Sequence, residues 1–139
     1  MSRHITTSKY RVSLPDERRW NGRTYGSKAE MRYAQQLDVL LRAGEILDYV
    51  EQPRRCLGVP ENVYVPDFLV IPSEGRPYYV DVKGHETAKF KRDVKLWASY
   101  GHLPLHVVKA RGSRFAIHKT ITPDDGREKN LQKGVVRHV

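Results

Sequence analysis

The sequence predicts an α/β domain whose elements run helix, three strands, helix, then one or two strands. Three observations carry this reading. From Ser27 the apolar residues recur at helical spacing. From Ile46 to Lys83 they gather in short runs rich in β-branched and aromatic residues. A second helical pattern, from Thr87, separates those runs from a further apolar run at Leu105. The 139 residues fit one compact core.

Residues 1–26 are polar and basic, with turn-forming pairs Pro15-Asp16, Asn21-Gly22 and Tyr25-Gly26, and are expected to form a basic N-terminal arm or irregular lead-in. The folded domain is expected over residues 27–120. Ser27 is a good N-cap, Ala34, Leu37 and Leu41 recur at i, i+3 and i+7, and Ala43-Gly44 supplies the stop. Strands are expected over residues 46–52, ended by Pro53, over 63–71, ended by Pro72, and over 78–83, together forming a meander. Thr87 caps a second helix that runs to about Tyr100, with Phe90, Val94, Trp97 and Ala98 on one face and Gly101 as the stop. A fourth strand is expected over 105–109 and a fifth over 115–119, joined through Arg111-Gly112-Ser113-Arg114. Residues 121–139 read as a basic C-terminal tail.

Composition narrows the function classes. Lys and Arg number 25 against 16 acids, a formal charge of +9, while 39% of residues are hydrophobic. A disordered polycation lacks that apolar fraction, so a folded domain with a polyanionic partner is expected. Residues 1–28 carry a net +5, residues 29–83 a net −3 and residues 84–139 a net +7. An acidic middle between basic flanks suits a metal-holding floor with basic walls. No apolar run approaches the ~18 residues that span a bilayer, and no signal-like segment opens the chain, so a cytoplasmic protein without a membrane partner is expected. Cys56 is the only cysteine; a disulfide within the chain is excluded, and it reads as a small buried hydrophobe beside Leu57.

The informative residues are carboxylates. A turn centred near Glu74 puts Asp67 opposite Asp81 on adjacent antiparallel strands, where Cβ atoms are ~4.5–5.5 Å apart and like charges are destabilising. Either one of the pair binds a proton or a cation sits between them. Lys83, two residues after Asp81, shares its face. Two carboxylates and an ammonium on one surface are what metal-assisted phosphodiester hydrolysis needs. Glu30 has two readings: the N3 member of a capping box in Ser27-Lys28-Ala29-Glu30, or a third carboxylate facing the site from the core stripe Glu30, Ala34, Leu37, Leu41.

Pro66-Asp67, the later Asp81-Val82-Lys83 and a helical Glu30 resemble the PD-(D/E)XK nuclease superfamily. Tyr25-Gly26-Ser27-Lys28-Ala29-Glu30, Gln52-Pro53-Arg54, Tyr64-Val65-Pro66-Asp67-Phe68 and Val80-Asp81-Val82-Lys83-Gly84 are similar to small phage and prophage endonucleases of the endonuclease I and Holliday-junction-resolvase type. The likeness covers about residues 9–109. It implies a restriction-endonuclease-like αβββαβ core, a mixed central sheet flanked by helices, and a metal-dependent DNA endonuclease, with branched or junction DNA in phage recombination among its substrates. It implies that Asp67, Asp81, the Val82 carbonyl and Glu30 hold Mg²⁺, which Mn²⁺ can replace, that Lys83 positions water, and that Gln52 lies nearby. The second acid is Asp81, where Glu is commoner in the superfamily.

Further candidates surround this set. His85 follows Lys83 closely enough to face a phosphate, and its competing reading is a solvated loop histidine. Arg54, Arg55, Lys89, Lys91, Arg92, Lys95, Arg111 and Arg114 are candidates for the DNA backbone, with a solvated helix face as the alternative for the helical four. Cutting both strands takes two active sites, so a homodimer is expected; no small-molecule cofactor is. The competing function is a non-catalytic DNA-binding protein that keeps a nuclease-like fold. An RNA substrate is a third reading, with no residue that selects the 2′-hydroxyl.

Overall fold

The computed structural model describes residues 13–123. Residues 1–12 of the expected arm and 124–139 of the expected tail lie outside the described residues. Within the described part the arm reading is corrected. Pro15–Arg18 forms a 3₁₀ turn, followed by a hairpin of β1 (Arg19–Trp20) and β2 (Arg23–Thr24). Asn21 and Gly22 turn it with φ of 53° and 77°, the backbone that Asn-Gly supplies at a tight hairpin. Trp20 packs against the core and Tyr25 is buried in it, so residues 15–25 are part of the domain.

Helix α1 (Lys28–Arg42) begins where expected: the Ser27 hydroxyl accepts the Glu30 amide at 3.0 Å. It stops at Ala43, and Gly44 takes the left-handed φ of 77°. Then come β3 (Ile46–Glu51), β4 (Arg55–Cys56), β5 (Val63–Tyr64), β6 (Phe68–Pro72) and β7 (Tyr78–Val82). The single strand expected over 63–71 is two. Pro66 has no N–H to give a ladder, so pairing breaks there: β5 joins β4 in a separate two-stranded hairpin, and β6 enters the main sheet. Cys56 is exposed on that hairpin. Successive side chains of extended chain point to opposite sides, and Leu57, just past β4, is the one buried.

Helix α2 (Ala88–Tyr100), capped by the Thr87 hydroxyl on the Phe90 amide at 3.1 Å, crosses over to β8 (Leu105–Arg111), and β9 (Arg114–Ile121) returns beside it. The main sheet has the order β3-β6-β7-β8-β9, antiparallel throughout except for the parallel β7–β8 pair. It is therefore a mixed sheet with two helices. No helix among the described residues is long and apolar enough to cross a membrane.

Alternation along the strands makes two cores. Phe68, Val70, Val80, Val82 and Val108 face α1 and pack with Ala34 and Leu37. Tyr79, Leu105 and Val107 face α2 and pack with Phe90 and Trp97. Trp97 has no exposed surface and donates its Nε1–H to the Leu103 carbonyl at 2.9 Å. The side of the sheet that faces α2 carries Asp81 and Lys83, while Glu30 comes from α1.

Candidate functional site

In the β6–β7 ladder Phe68 pairs with Val80, Leu69 with Tyr79 and Val70 with Tyr78, the register of a turn centred near Glu74. Asp67, at a bend one residue before β6, thus comes level with Asp81. Its Oδ2 accepts the Val82 amide at 2.7 Å. Asp81 shares the α2-facing side with Tyr79, and Lys83 follows on the same side, with Nζ 3.5 Å from Asp81 Oδ1. Lys83 Nζ also stands 4.8 Å from the Phe90 ring centroid, a cation–π contact that holds the ammonium over the site.

Asp81 is only 1% exposed, yet neither of its oxygens accepts a hydrogen bond of good geometry. Burial raises it to about 7, with Lys83 and the Asp67 backbone lowering it and Asp93 of α2 raising it. Asp67 is raised by burial to about 6, against the Val82 amide and Lys83, which lower it. Glu30, on the first turn of α1, is buried and raised to about 7, first by burial and then by Asp67, with a smaller push from Asp81. The structure thus brings Glu30 into electrostatic contact with both aspartates. Ser27 caps the helix, but the Glu30 carboxylate turns toward Gly26, where an added Cβ would meet its Oε2 at 2.9 Å. Among the described residues, no three His, Cys, Asp or Glu side chains are gathered tightly enough to hold a metal ion as they stand.

The remaining candidates fall into three groups. Gln52 is exposed, but its amide donates to the Asp67 carbonyl at 2.9 Å, and its φ of 50° is a left-handed conformation that non-glycine residues rarely adopt. Its backbone therefore helps to fix the bend that carries Asp67. The Val82 side chain is buried against α1, and His85 lies on the exposed loop before α2. Of the expected DNA contacts, Arg54, Lys91, Arg92, Lys95, Arg111 and Arg114 are exposed. Lys89 is exposed but paired with Asp93 at 2.8 Å, while Arg55 donates to the Tyr79 hydroxyl and lies over its ring.

Sequence reading missed several residues. Arg23 of β2 pairs with Glu51 at 2.9 Å and lowers Glu30; it lies in a hairpin whose turn residues read locally as an irregular lead-in. Asp93 lines a cavity of about 260 Å³ with Lys83, Lys89 and Phe90; its position four residues after Lys89 was the available signal. Lys109, His118 and Lys119 converge on Glu86. They sit on β8 and β9, whose pairing brings them together, and local spacing does not report that.

A family model described as "Protein of unknown function (DUF1064)" matches residues 7–114. Neither the curated proteins nor the solved structures yield a match.

Proposed function

Taking as premise that the chain belongs to the DUF1064 family, we propose that it is a metal-dependent DNA endonuclease on a restriction-endonuclease-like αβββαβ core. The observation that carries this is Asp81: a carboxylate 1% exposed whose oxygens lack a hydrogen bond of good geometry, with the Lys83 ammonium 3.5 Å from one of them and Asp67 and Glu30 close by. Leaving a buried charge uncompensated is costly. A purely structural role gains nothing from that cost, and three neighbouring carboxylates multiply it. The succession α1, β3, β6, β7, α2, β8, with its antiparallel meander and parallel β7–β8 pair, supports the PD-(D/E)XK reading.

Hard oxygen donors of this kind fit Mg²⁺ or Mn²⁺. Asp67, Asp81 and the Val82 carbonyl would hold the ion, and Glu30, not gathered with the two aspartates as the side chains stand, would complete the set from the helix by turning toward them. When bound, it neutralises charge on the scissile phosphate and lowers the pKa of water. Lys83, anchored by Asp81 and Phe90, orients the attacking water and offsets developing negative charge. The Asp67 bend is held from two sides, by the Val82 and Gln52 amides, so the carboxylate keeps its place while substrate comes and goes. The exposed bases of α2 hold the DNA backbone, and a pair of chains supplies the two sites that cut both strands.

Incubation with supercoiled, linear and four-way-junction DNA, with Mg²⁺, Mn²⁺ or EDTA, tests the reading. Metal-dependent cutting of at least one form is expected. Binding without cutting under all conditions overturns it in favour of a non-catalytic DNA-binding protein, and cutting confined to RNA replaces the substrate.

Gly26→Ala probes Glu30 without touching a carboxylate. The added methyl displaces the Glu30 carboxyl, so Mn²⁺ affinity measured by calorimetry is expected to fall several-fold. Stability is expected to change by less than ~1 kcal/mol, because the clash falls on the end of a flexible side chain. Unchanged affinity removes Glu30 from the set.

A further inference from the structure

We infer that Lys109, Lys119 and His118 form a phosphate subsite for the DNA strand beside the cleavage centre, and that the Glu86 carboxylate occupies this subsite when DNA is absent. The inference rests on the nuclease reading and names where the substrate backbone is held.

Glu86 stands on the loop between Lys83 and α2. Its carboxylate is paired with Lys119 Nζ, lies 3.7 Å from Lys109 Nζ and 3.6 Å from His118 Nε2, and is held below the usual carboxylate range chiefly by Lys119. Two full positive charges and a titratable ring thus meet one negative charge, and a net positive field remains. Sheet register places that field. Asp81 of β7 pairs with Val107 of β8, which pairs with Lys119 of β9; directly paired residues share a face, so Lys119 projects on the side of the sheet that carries Asp81 and Lys83. Lys119 Nζ and Lys83 Nζ lie 5.9 Å and 4.8 Å from the same Phe90 ring. Two strand spacings separate Asp81 from Lys119, roughly 10 Å, which is on the order of three nucleotides along a duplex axis. A phosphate there keeps the strand running through the metal site.

A carboxylate is a reasonable stand-in for a phosphodiester's two non-bridging oxygens: it carries the same single negative charge and accepts the same charge-assisted hydrogen bonds. It also keeps the two lysines from repelling one another while the strand is away. Entry of DNA exchanges one monoanion for a chain of them, which engages the lysines at this subsite together with the other basic residues of the face, and Glu86, on a partly exposed loop, swings into water.

The test is binding of a fluorescein-labelled DNA duplex in EDTA, followed by anisotropy over a KCl series. Glu86→Gln is expected to bind several-fold tighter and to steepen the salt dependence by about one unit. Lys119→Ala is expected to weaken binding, and the gain from Glu86→Gln is expected to shrink when both changes are combined. On the unaltered protein, duplex addition is expected to shift the ring signals of His118 by NMR. Equal or weaker binding by a Glu86→Gln protein that melts normally overturns the inference, as do His118 signals that ignore DNA; the latter measurement decides the matter if the variant does not fold. Because no step involves cutting, the two readings fail separately. Cutting with no Glu86 effect removes the subsite alone, whereas a Glu86 effect without cutting leaves the subsite and removes the nuclease.

Discussion

Asp81→Asn is expected to abolish the proposed metal-dependent cleavage and at the same time to raise the stability of the metal-free protein at pH 8. The two effects share one cause. Asp81 is a carboxylate that the fold buries almost completely without giving either oxygen a hydrogen bond of good geometry, and Lys83, 3.5 Å from one of them, only partly offsets that burial. In the absence of a divalent ion this charge is stranded, and burial holds its pKa up near 7. Asparagine has the same shape without the charge, so a gain of about 1–2 kcal/mol in urea denaturation is expected with EDTA present. Lys83 loses its partner but is 29% exposed and stays solvated. The cost is expected in catalysis, where losing a proposed anionic ligand would remove several kcal/mol of charge stabilisation, on the order of 10³-fold or more in rate. If the variant instead loses stability and keeps cutting, Asp81 is a structural partner of Lys83 and the site lies elsewhere.

That trade is visible in the sequence to an unusual extent. Asp67 and Asp81 are tied together by a short turn, and a turn sets register; Phe68 opposite Val80 is the arithmetic consequence of a centre near Glu74. The two helices are also legible, since Ser27 and Thr87 cap them and Gly44 and Gly101 end them, all local signals. What failed was decided by tertiary structure. Val63 to Ile71 has one continuous β propensity, yet Pro66 divides it between two sheets. Residues 15–25 look like punctuation because their turns are conspicuous, but Trp20 and Tyr25 supply enough apolar surface to dock on α1's core. Cys56 and Leu57 are equally apolar neighbours, and only the placement of a two-stranded hairpin decides which is inward. The basic residues that surround Glu86 come from β8 and β9 and meet it only through strand pairing. Charge counts placed cations on both flanks of the acidic middle, and could not say which of them reach it.

The metal-free protein is expected to lose stability as pH rises from about 4 to about 7.5, and a divalent ion is expected to restore it. Glu30, Asp67 and Asp81 have folded pKa values raised to about 7, 6 and 7, whereas in the unfolded chain they lie near 4. Between those limits the folded state binds more protons than the unfolded one, so unfolding free energy falls with pH. Below about 4 both states are protonated, and above about 7.5 both are ionised, so the slope vanishes at either end. His102 and His106, whose pKa values burial lowers, pull the other way within the same window, and Glu86, held low by Lys119, acts in the usual carboxylate sense near the bottom of it. Asp67→Asn and Asp81→Asn separate these contributions, because only the carboxylate part of the slope disappears in them. A divalent ion needs the carboxylates ionised, so its affinity climbs through the interval in which the free protein weakens. At a concentration a hundredfold above Kd it adds about 2.7 kcal/mol, on the order of 10 °C in Tm for a domain of this size. The expected result is a gap between melting curves with Mn²⁺ and with EDTA that is near zero at pH 5 and widest at pH 8, with cleavage rate rising over the same range. A gap that is constant with pH, or a metal-free Tm that climbs toward pH 8, shows that the three carboxylates do not share an ion, since the proton and the metal compete for the same buried charge.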